Sequence, residues 1–494
     1  MLFNSVEFLI FFPIVLAVYL ILPKKVKYIW LLIASFYFYM SWNPKYVVLI
    51  VFSIAVTYVM GLLIEKSKKV SSKKWVLGLG IAANLGVLFL FKYLDFFFDN
   101  LNSLLSAVGI HAVEKPFDFL LPVGISFYTF QAIGYCIDVY RGEIKAERNI
   151  ARYALFVSFF PQLVAGPIER SKNLLSQIKE MGERRLWTYD GIVSGFGMML
   201  WGLFMKMMIA DRVGIFVDSV YDNLFMTGTV ETAAAAIGFS LQIYADFAGY
   251  SAIAIGAARV IGVDLMENFN TPYFATSIAE FWRRWHISLS TWFRDYLYIP
   301  LGGNRKGKFR KYLNLLITFL VSGLWHGASW TFVIWGGIHA IYQIVEDLLK
   351  PVREKVDKAL DVDRNVFSYK FGRIFFTFVL TTFAWIFFRA RSVSVLGEYL
   401  SRLFTKWDPW VLSDDSIYGF GLDARETIIL YLSVFVMLIV SFVRYKKGAD
   451  IGEILLRQNR AFRIIVFVLL ITAIIIFGEY GIDFDSNKFI YFDF

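Results

Sequence analysis

Apolar runs long enough, or nearly long enough, to cross a ~30 Å hydrocarbon layer recur along this whole sequence. They fall near 5–22, 28–42, 44–64, 75–94, 118–140, 188–210, 232–262, 312–330, 331–349, 373–390, 426–443 and 462–479. The pattern predicts an all-α, polytopic integral membrane protein of about 11–12 spans. Composition agrees: 58% of the 494 residues are apolar and 18% charged. Soluble domains run nearer ≈ 45–50% and ≈ 25%. A lone cysteine, Cys136, excludes a disulfide-stapled secreted module.

The net charge of +10 has to be read by position. Lys and Arg gather in short blocks between apolar runs, at 24–27, 66–74, 305–311 and 444–447. That is the positive-inside pattern of cytoplasmic loops, and it argues against nucleic acid as a partner. No Lys or Arg precedes the first run, so it reads as a true span with the N-terminus outside. Following the blocks leaves Phe494 outside as well. The stretch Leu155 to Ile168 is apolar but carries Pro161, Gly166 and Pro167. It reads as a short re-entrant or buried element, which lipid tolerates only where protein covers it or a cavity lies beside it. Without repeats or low-complexity linkers, the chain reads as one integral-membrane domain over 1–494, with a core at 118–349 and C-terminal spans at 373–479.

Polar side chains inside such runs are costly and mark candidate sites. Asn314, Thr318, Ser322 and His326 recur at four-residue spacing, one polar stripe on a 3.6-residue helix. The stripe ends in Ser322-Gly-Leu-Trp-His-Gly-Ala-Ser-Trp330, where Gly323 and Gly327 permit close backbone approach. A histidine placed there can meet a substrate, or can simply join helices by a hydrogen bond.

A second segment runs from Ser277 to Tyr298. Ser277 and Glu280 predict a capping box. A continuous helix would set Arg283, His286, Ser290 and Arg294 on one face and Trp282, Trp285, Leu289 and Trp292 on another. An interfacial anchor would look similar, although anchoring has no use for Ser288, Ser290 or Asp295. The loop Gly302 to Lys308 is cationic and suits phosphate-bearing donors or lipid headgroups. A third element holds Gln242 and Asp246 one turn apart, with Arg283, Arg284 or Arg294 as expected partners of the aspartate. His339 reads as packing first and auxiliary second, and His111 lies in a loop. No metal-ligand spacing, phosphate-binding glycine loop or GxSxG elbow is present. What remains is a histidine base with cationic and hydroxyl support, chemistry suited to hydroxyl attack on an activated acyl group.

Phe281-Trp-Arg-Arg-Trp-His286, Gly302-Gly-Asn-Arg305 and Leu324-Trp-His-Gly-Ala-Ser-Trp330 resemble the membrane-bound O-acyltransferase family. So do Leu121 to Phe130, Phe160 to Pro167 and Glu267-Asn-Phe-Asn270, and the likeness runs from the first span past Arg391. The resemblance is strongest to the bacterial branch that acetylates exopolysaccharides such as alginate. It implies re-entrant and horizontal helices around a central funnel in the bacterial inner (cytoplasmic) membrane. It implies a catalytic histidine at His326 and a supporting one at His286. Substrate contacts are expected from Asp246, Gln242, Arg284, Trp285, Ser290, Arg294, Tyr298, Asn314, Ser322 and Trp325. No permanently bound cofactor or metal is expected; the donor would be acetyl-CoA or another acyl thioester, carried by coenzyme A or an acyl carrier protein. The implied partners are the lipid bilayer, an extracytoplasmic hydrolase-like transferase and a polysaccharide acceptor. Rival readings are D-alanylation of teichoic acid from a carrier-protein thioester, O-acetylation of peptidoglycan, and a non-enzymatic polysaccharide or lipid exporter.

Overall fold

In the computed structural model, the described residues are 1–115, 117, 121–164, 166–181, 188–480 and 490, and all the regular structure among them is helical. In chain order the helices are α1 (Val6–Ile21), α2 (Lys27–Met40), α3 (Val47–Lys66), α4 (Val70–Leu88), α5 (Leu94–Ala107), α6 (Ile125–Tyr140), α7 (Ile150–Ser158), α8 (Phe160–Leu163) and α9 (Ser171–Glu180). Then come α10 (Tyr189–Phe204), α11 (Asp211–Asp222), α12 (Thr229–Ile261), α13 (Ile278–Arg284), α14 (Ile287–Phe293), α15 (Gly307–His326) and α16 (Trp330–Ala359). The chain closes with α17 (Phe367–Arg389), α18 (Val393–Thr405), α19 (Ala424–Lys447), α20 (Ile451–Leu456) and α21 (Arg460–Phe477).

Seven helical stretches are long and apolar enough to cross a membrane: Pro44–Lys66, Val70–Ala107, Tyr189–Asp222, Trp330–Ala359, Phe367–Arg389, Ala424–Lys447 and Arg460–Phe477. The other apolar runs are helical too, and the reasons they fall short are local. Helix α1 has 16 residues, which at 1.5 Å each reaches only ~24 Å. Gln242 and Asp246 dilute the hydropathy of α12, and the polar stripe does the same for α15. The run expected at 118–140 becomes helical only from Ile125; residues 118–120 lie outside the described set. The broken segment near Pro161 forms α7 and the single turn α8, with Phe156, Phe159, Phe160 and Leu163 buried.

The chain forms two compact units, Met1–Gly195 with Ala254–Met266, and Phe196–Ile253 with Glu267–Phe494. In the first, α3 packs against α4 and α6, and α2 against α7. Buried polar groups tie these helices together: Ser53 Oγ donates to Asn84 Oδ1 at 2.6 Å, and Tyr153 OH to Thr57 Oγ1 at 2.7 Å. Such bonds matter in a lipid setting, where burying apolar surface gives helices little reason to associate. In the second, α15 and α16 form a close hairpin. A Cβ on Gly323 would stand 2.2 Å from the Phe332 carbonyl oxygen, and one on Gly336 2.2 Å from that of Phe319. Only glycine allows that backbone contact, the role the small residues beside His326 predict.

Candidate active site

The segment from Ser277 to Tyr298 is not one helix. Ser277 Oγ caps α13 by accepting from Glu280 N at 3.0 Å. Glu280 Oε2 reaches back one residue further than a capping box requires, to Thr276 N at 2.8 Å and Thr276 Oγ1 at 2.7 Å. Helix α13 then stops at Arg284. Trp285 is extended and His286 is left-handed, with φ +43° and ψ 54°, before α14 begins. The two predicted faces therefore do not form. Arg283 and Arg294 are exposed, while Trp282, Trp285, His286 and Ser288 are buried.

The cause of the break lies in the stretch after α12. Asn270 N donates to Arg284 O, and Ile287 N to Asn268 O, both at 2.9 Å. This short extended strip satisfies backbone groups that an interrupted helix would otherwise leave orphaned. The Asn268 side chain completes the join. Its Oδ1 accepts from Ser288 Oγ at 2.7 Å and Ser288 N at 3.3 Å and lies 3.2 Å from His286 Nδ1; its Nδ2 donates to Ser251 Oγ at 3.2 Å. A non-glycine residue in left-handed conformation costs about 1–3 kcal/mol unless its surroundings hold it there. Burial also pushes the proton affinity of His286 down, to about 3, so the ring is neutral near pH 7.

Helix α15 carries the predicted stripe intact. Asn314, Thr318, Ser322 and His326 are all buried, and His326 is its last residue. Asn314 Nδ2 donates to Gly303 O at 2.9 Å, tying the cationic loop to the helix, and Thr318 Oγ1 donates to Asn314 O at 2.7 Å. The ring of His326 lies 6.2 Å from that of His286, 5.0 Å from Trp325, 5.1 Å from Trp335 and 5.3 Å from Phe388. Two histidines forty residues apart in sequence thus meet in one buried aromatic enclosure. His339 packs beside it, its Nδ1 accepting from Trp282 Nε1 at 3.2 Å and its ring 5.0 Å from Trp335. Three residues separate α15 from α16, so the continuous helix on which its phase to His326 was judged does not exist.

Beside this enclosure lies a cavity of about 420 Å³, lined by Trp282, Ser290, Arg294, Tyr298, Thr318 and Ser322 among others. Neither histidine lines it, but Ser322 is one turn before His326. Ala279, Tyr298, Leu315 and Gln343 form a wall shared with a second cavity of about 680 Å³. That one is strongly cationic, with Lys311, Lys350, Arg353, Arg364, Lys370 and Arg373 facing only Glu346 and Asp347.

Asp246 does not pair with an arginine. Its Oδ1 lies 2.9 Å from Lys206 Nζ, which also lies 2.7 Å from Asp211 Oδ1, all three being buried. Lys206 stands on a π-helical turn, Met205–Ala210, between α10 and α11. Asp246 Oδ2 further accepts from Ile490 N at 2.8 Å. Sequence reasoning passed over Lys206, although a lysine inside the apolar run 188–210 was itself the signal. Gln242 packs on α11, its Nε2 standing 2.7 Å from where a Cβ on Gly214 would be. Arg284 is bound to Glu280 at 2.8 Å and donates to Asn270 O and Thr271 Oγ1, both at 3.2 Å. Trp285 stacks on Phe281 at 5.4 Å. Asp246, Gln242 and Arg284 thus sit in bracing contacts, whereas Ser290, Arg294, Tyr298 and Ser322 line the cavity and Trp325 touches both histidines.

The profile of the membrane-bound O-acyltransferase family matches residues 144–388, a span holding both histidines and both cavities. A probable alginate O-acetylase of Pseudomonas putida is 38% identical, over 88% of this chain and 86% of its own length. A probable alginate O-acetylase of Azotobacter vinelandii is 40% identical, over 84% of this chain and 80% of its own. A peptidoglycan O-acetyltransferase of Helicobacter pylori is 36% identical, over 80% and 78% respectively. With its apolar helices this makes the protein a multi-pass membrane acyltransferase. The chain belongs to the membrane-bound O-acyltransferase family.

Proposed function

We propose that the protein passes an acetyl group from a cytoplasmic thioester to an extracytoplasmic polysaccharide, or to a partner transferase that delivers it, with His326 as general base. The names of its relatives support acetyl as the group transferred. The observation that carries the residue assignment is the buried pair of imidazoles 6.2 Å apart. At that separation one reacting oxygen can approach both rings. His326 takes the hydroxyl proton of the acceptor as its oxygen bonds to the acyl carbon. The C–S bond then breaks, and the proton passes to the departing thiolate, so nothing is gained or lost beyond the acyl group. His286 supports the same proton or orients the thioester. Positioned acid–base catalysis of this kind supplies roughly 10²–10⁴-fold in rate.

The cationic cavity suits the phosphates of the donor, and the adjoining one, with its serine, threonine and aromatic lining, suits the thioester arm. A bacterial cytoplasmic membrane with both termini outside is consistent with the distribution of basic blocks. Family membership sets aside a passive exporter.

The test is transfer or hydrolysis of radiolabelled acetyl-CoA by purified protein in lipid, wild type against His326→Ala. Loss of at least 10²-fold is expected, and retention of near-normal turnover by the variant would sink the assignment. A parallel arm with an acylated carrier protein identifies the donor: turnover there alone moves the reading to a carrier-protein thioester.

A further inference from the structure

We propose that Asn268 is a positioning residue for the histidine pair, its side-chain carbonyl holding His286 as the Nδ1–H tautomer and so leaving Nε2 as the basic nitrogen. The proposal rests on the transfer reading above, but its first readout does not. The argument begins with a group whose direction is not in doubt. Ser288 N is a backbone donor, and it lies 3.3 Å from the Asn268 side-chain atom that also faces His286. A backbone N–H cannot face an amide NH2, so that atom is the carbonyl oxygen. The opposite end agrees, since Nδ2 finds an acceptor in Ser251 Oγ at 3.2 Å. An amide oxygen only accepts, so a hydrogen bond from His286 Nδ1 at 3.2 Å requires the proton on Nδ1. Asn268 is wholly buried, and its own main chain accepts from Ile287 N. One residue therefore fixes both the left-handed backbone of His286 and the proton on its ring. Orientation of an imidazole through its second nitrogen is a general device where histidine does chemistry.

The first test is nitrogen-15 NMR of histidine-labelled protein in lipid nanodiscs, with the His286 signals identified by their loss in His286→Gln. Wild type should show a protonated Nδ1 and an unprotonated Nε2. Asn268→Ala should move His286 toward the Nε2–H form that free neutral imidazole prefers. An unchanged tautomer in that variant overturns the proposal. In turnover of acetyl-CoA, Asn268→Ala should lose roughly 10–100-fold in kcat with little change in KM. Asn268→Asp keeps the acceptor, so it should recover the Nδ1–H tautomer. Its charge should also move the acid limb of the pH–rate profile upward, because a nearby carboxylate raises the proton affinity of a histidine. A purely structural role predicts Asn268→Asp no better than Asn268→Ala and no shift of the limb. Should Asn268→Ala fail to fold, as judged by size exclusion in detergent, the aspartate variant decides by tautomer and pH profile. An active His326→Ala protein would overturn the transfer reading and leave the tautomer result standing.

Discussion

Lys206→Met tests the buried ionic cluster directly. Lys206, Asp211 and Asp246 have side chains only a few per cent exposed, and one ammonium serves both carboxylates at 2.7 and 2.9 Å. Methionine fills nearly the same volume and leaves the two acids facing each other without a cation. Two unit charges ~5 Å apart repel by roughly 3 kcal/mol at an effective dielectric of 20. Breaking a buried pair by removing one partner generally costs about 3–5 kcal/mol, since the remaining charge is stranded. Protonating one aspartate relieves part of this, so a loss of about 3 kcal/mol is the working expectation. The assay is reversible unfolding in mixed micelles by titration with a denaturing detergent, followed by tryptophan fluorescence. The triple variant Lys206→Met, Asp211→Asn, Asp246→Asn removes all three charges and should recover most of the loss, because a neutral cluster of similar shape carries no desolvation penalty. A single variant within 1 kcal/mol of wild type, or a triple variant no better than the single one, would refute the reasoning.

Two further outcomes are expected. Gly323→Ala puts a methyl 2.2 Å from Phe332 O, so the α15–α16 hairpin must open; transfer activity and thermal stability in detergent should fall together, and unchanged activity would contradict close packing as the support of His326. Glu169 is buried against Met266 N and Asn173, and burial raises its carboxyl to about 7 from an ordinary 4.5. The folded state therefore keeps a proton that the unfolded state releases, and stability falls as pH rises from about 4.5 to 7. Glu169→Gln should flatten that decline in unfolding measured across the same pH window.

The helices were legible because both lipid and core demand long apolar runs, and the stripe at 314–326 because a four-residue recurrence survives any tertiary context. The pairing of His286 with His326 was legible only as a family likeness. From the local pattern alone, 277–298 reads as one amphipathic helix, and residues 278–284 and 287–293 do form helix. What breaks it is Asn268, eighteen residues upstream, and no periodicity within the segment reports a distant carboxamide. The misplaced partner of Asp246 has a similar cause. Arginines near in sequence were weighed, while Lys206 was absorbed into the surrounding run of methionine, phenylalanine and leucine.

The π-helical turn at Met205–Ala210 has a consequence for chain length. Lys206 and Asp211 are five residues apart, which in a regular α-helix sets them on different sides, about 140° round the axis. The wider turn bonds i to i+5 and stacks the two, which is how their ions come within 2.7 Å. Deleting any one residue between them would regularise the hydrogen-bond ladder and rotate everything beyond it by about 100°. Asp211, and Arg212 with its contacts to Phe477 O and Glu479, would then swing away from their partners. The gain of a more regular helix would come with the loss of the electrostatic joint it carries, so this stretch should tolerate exchange of side chains far better than change of length.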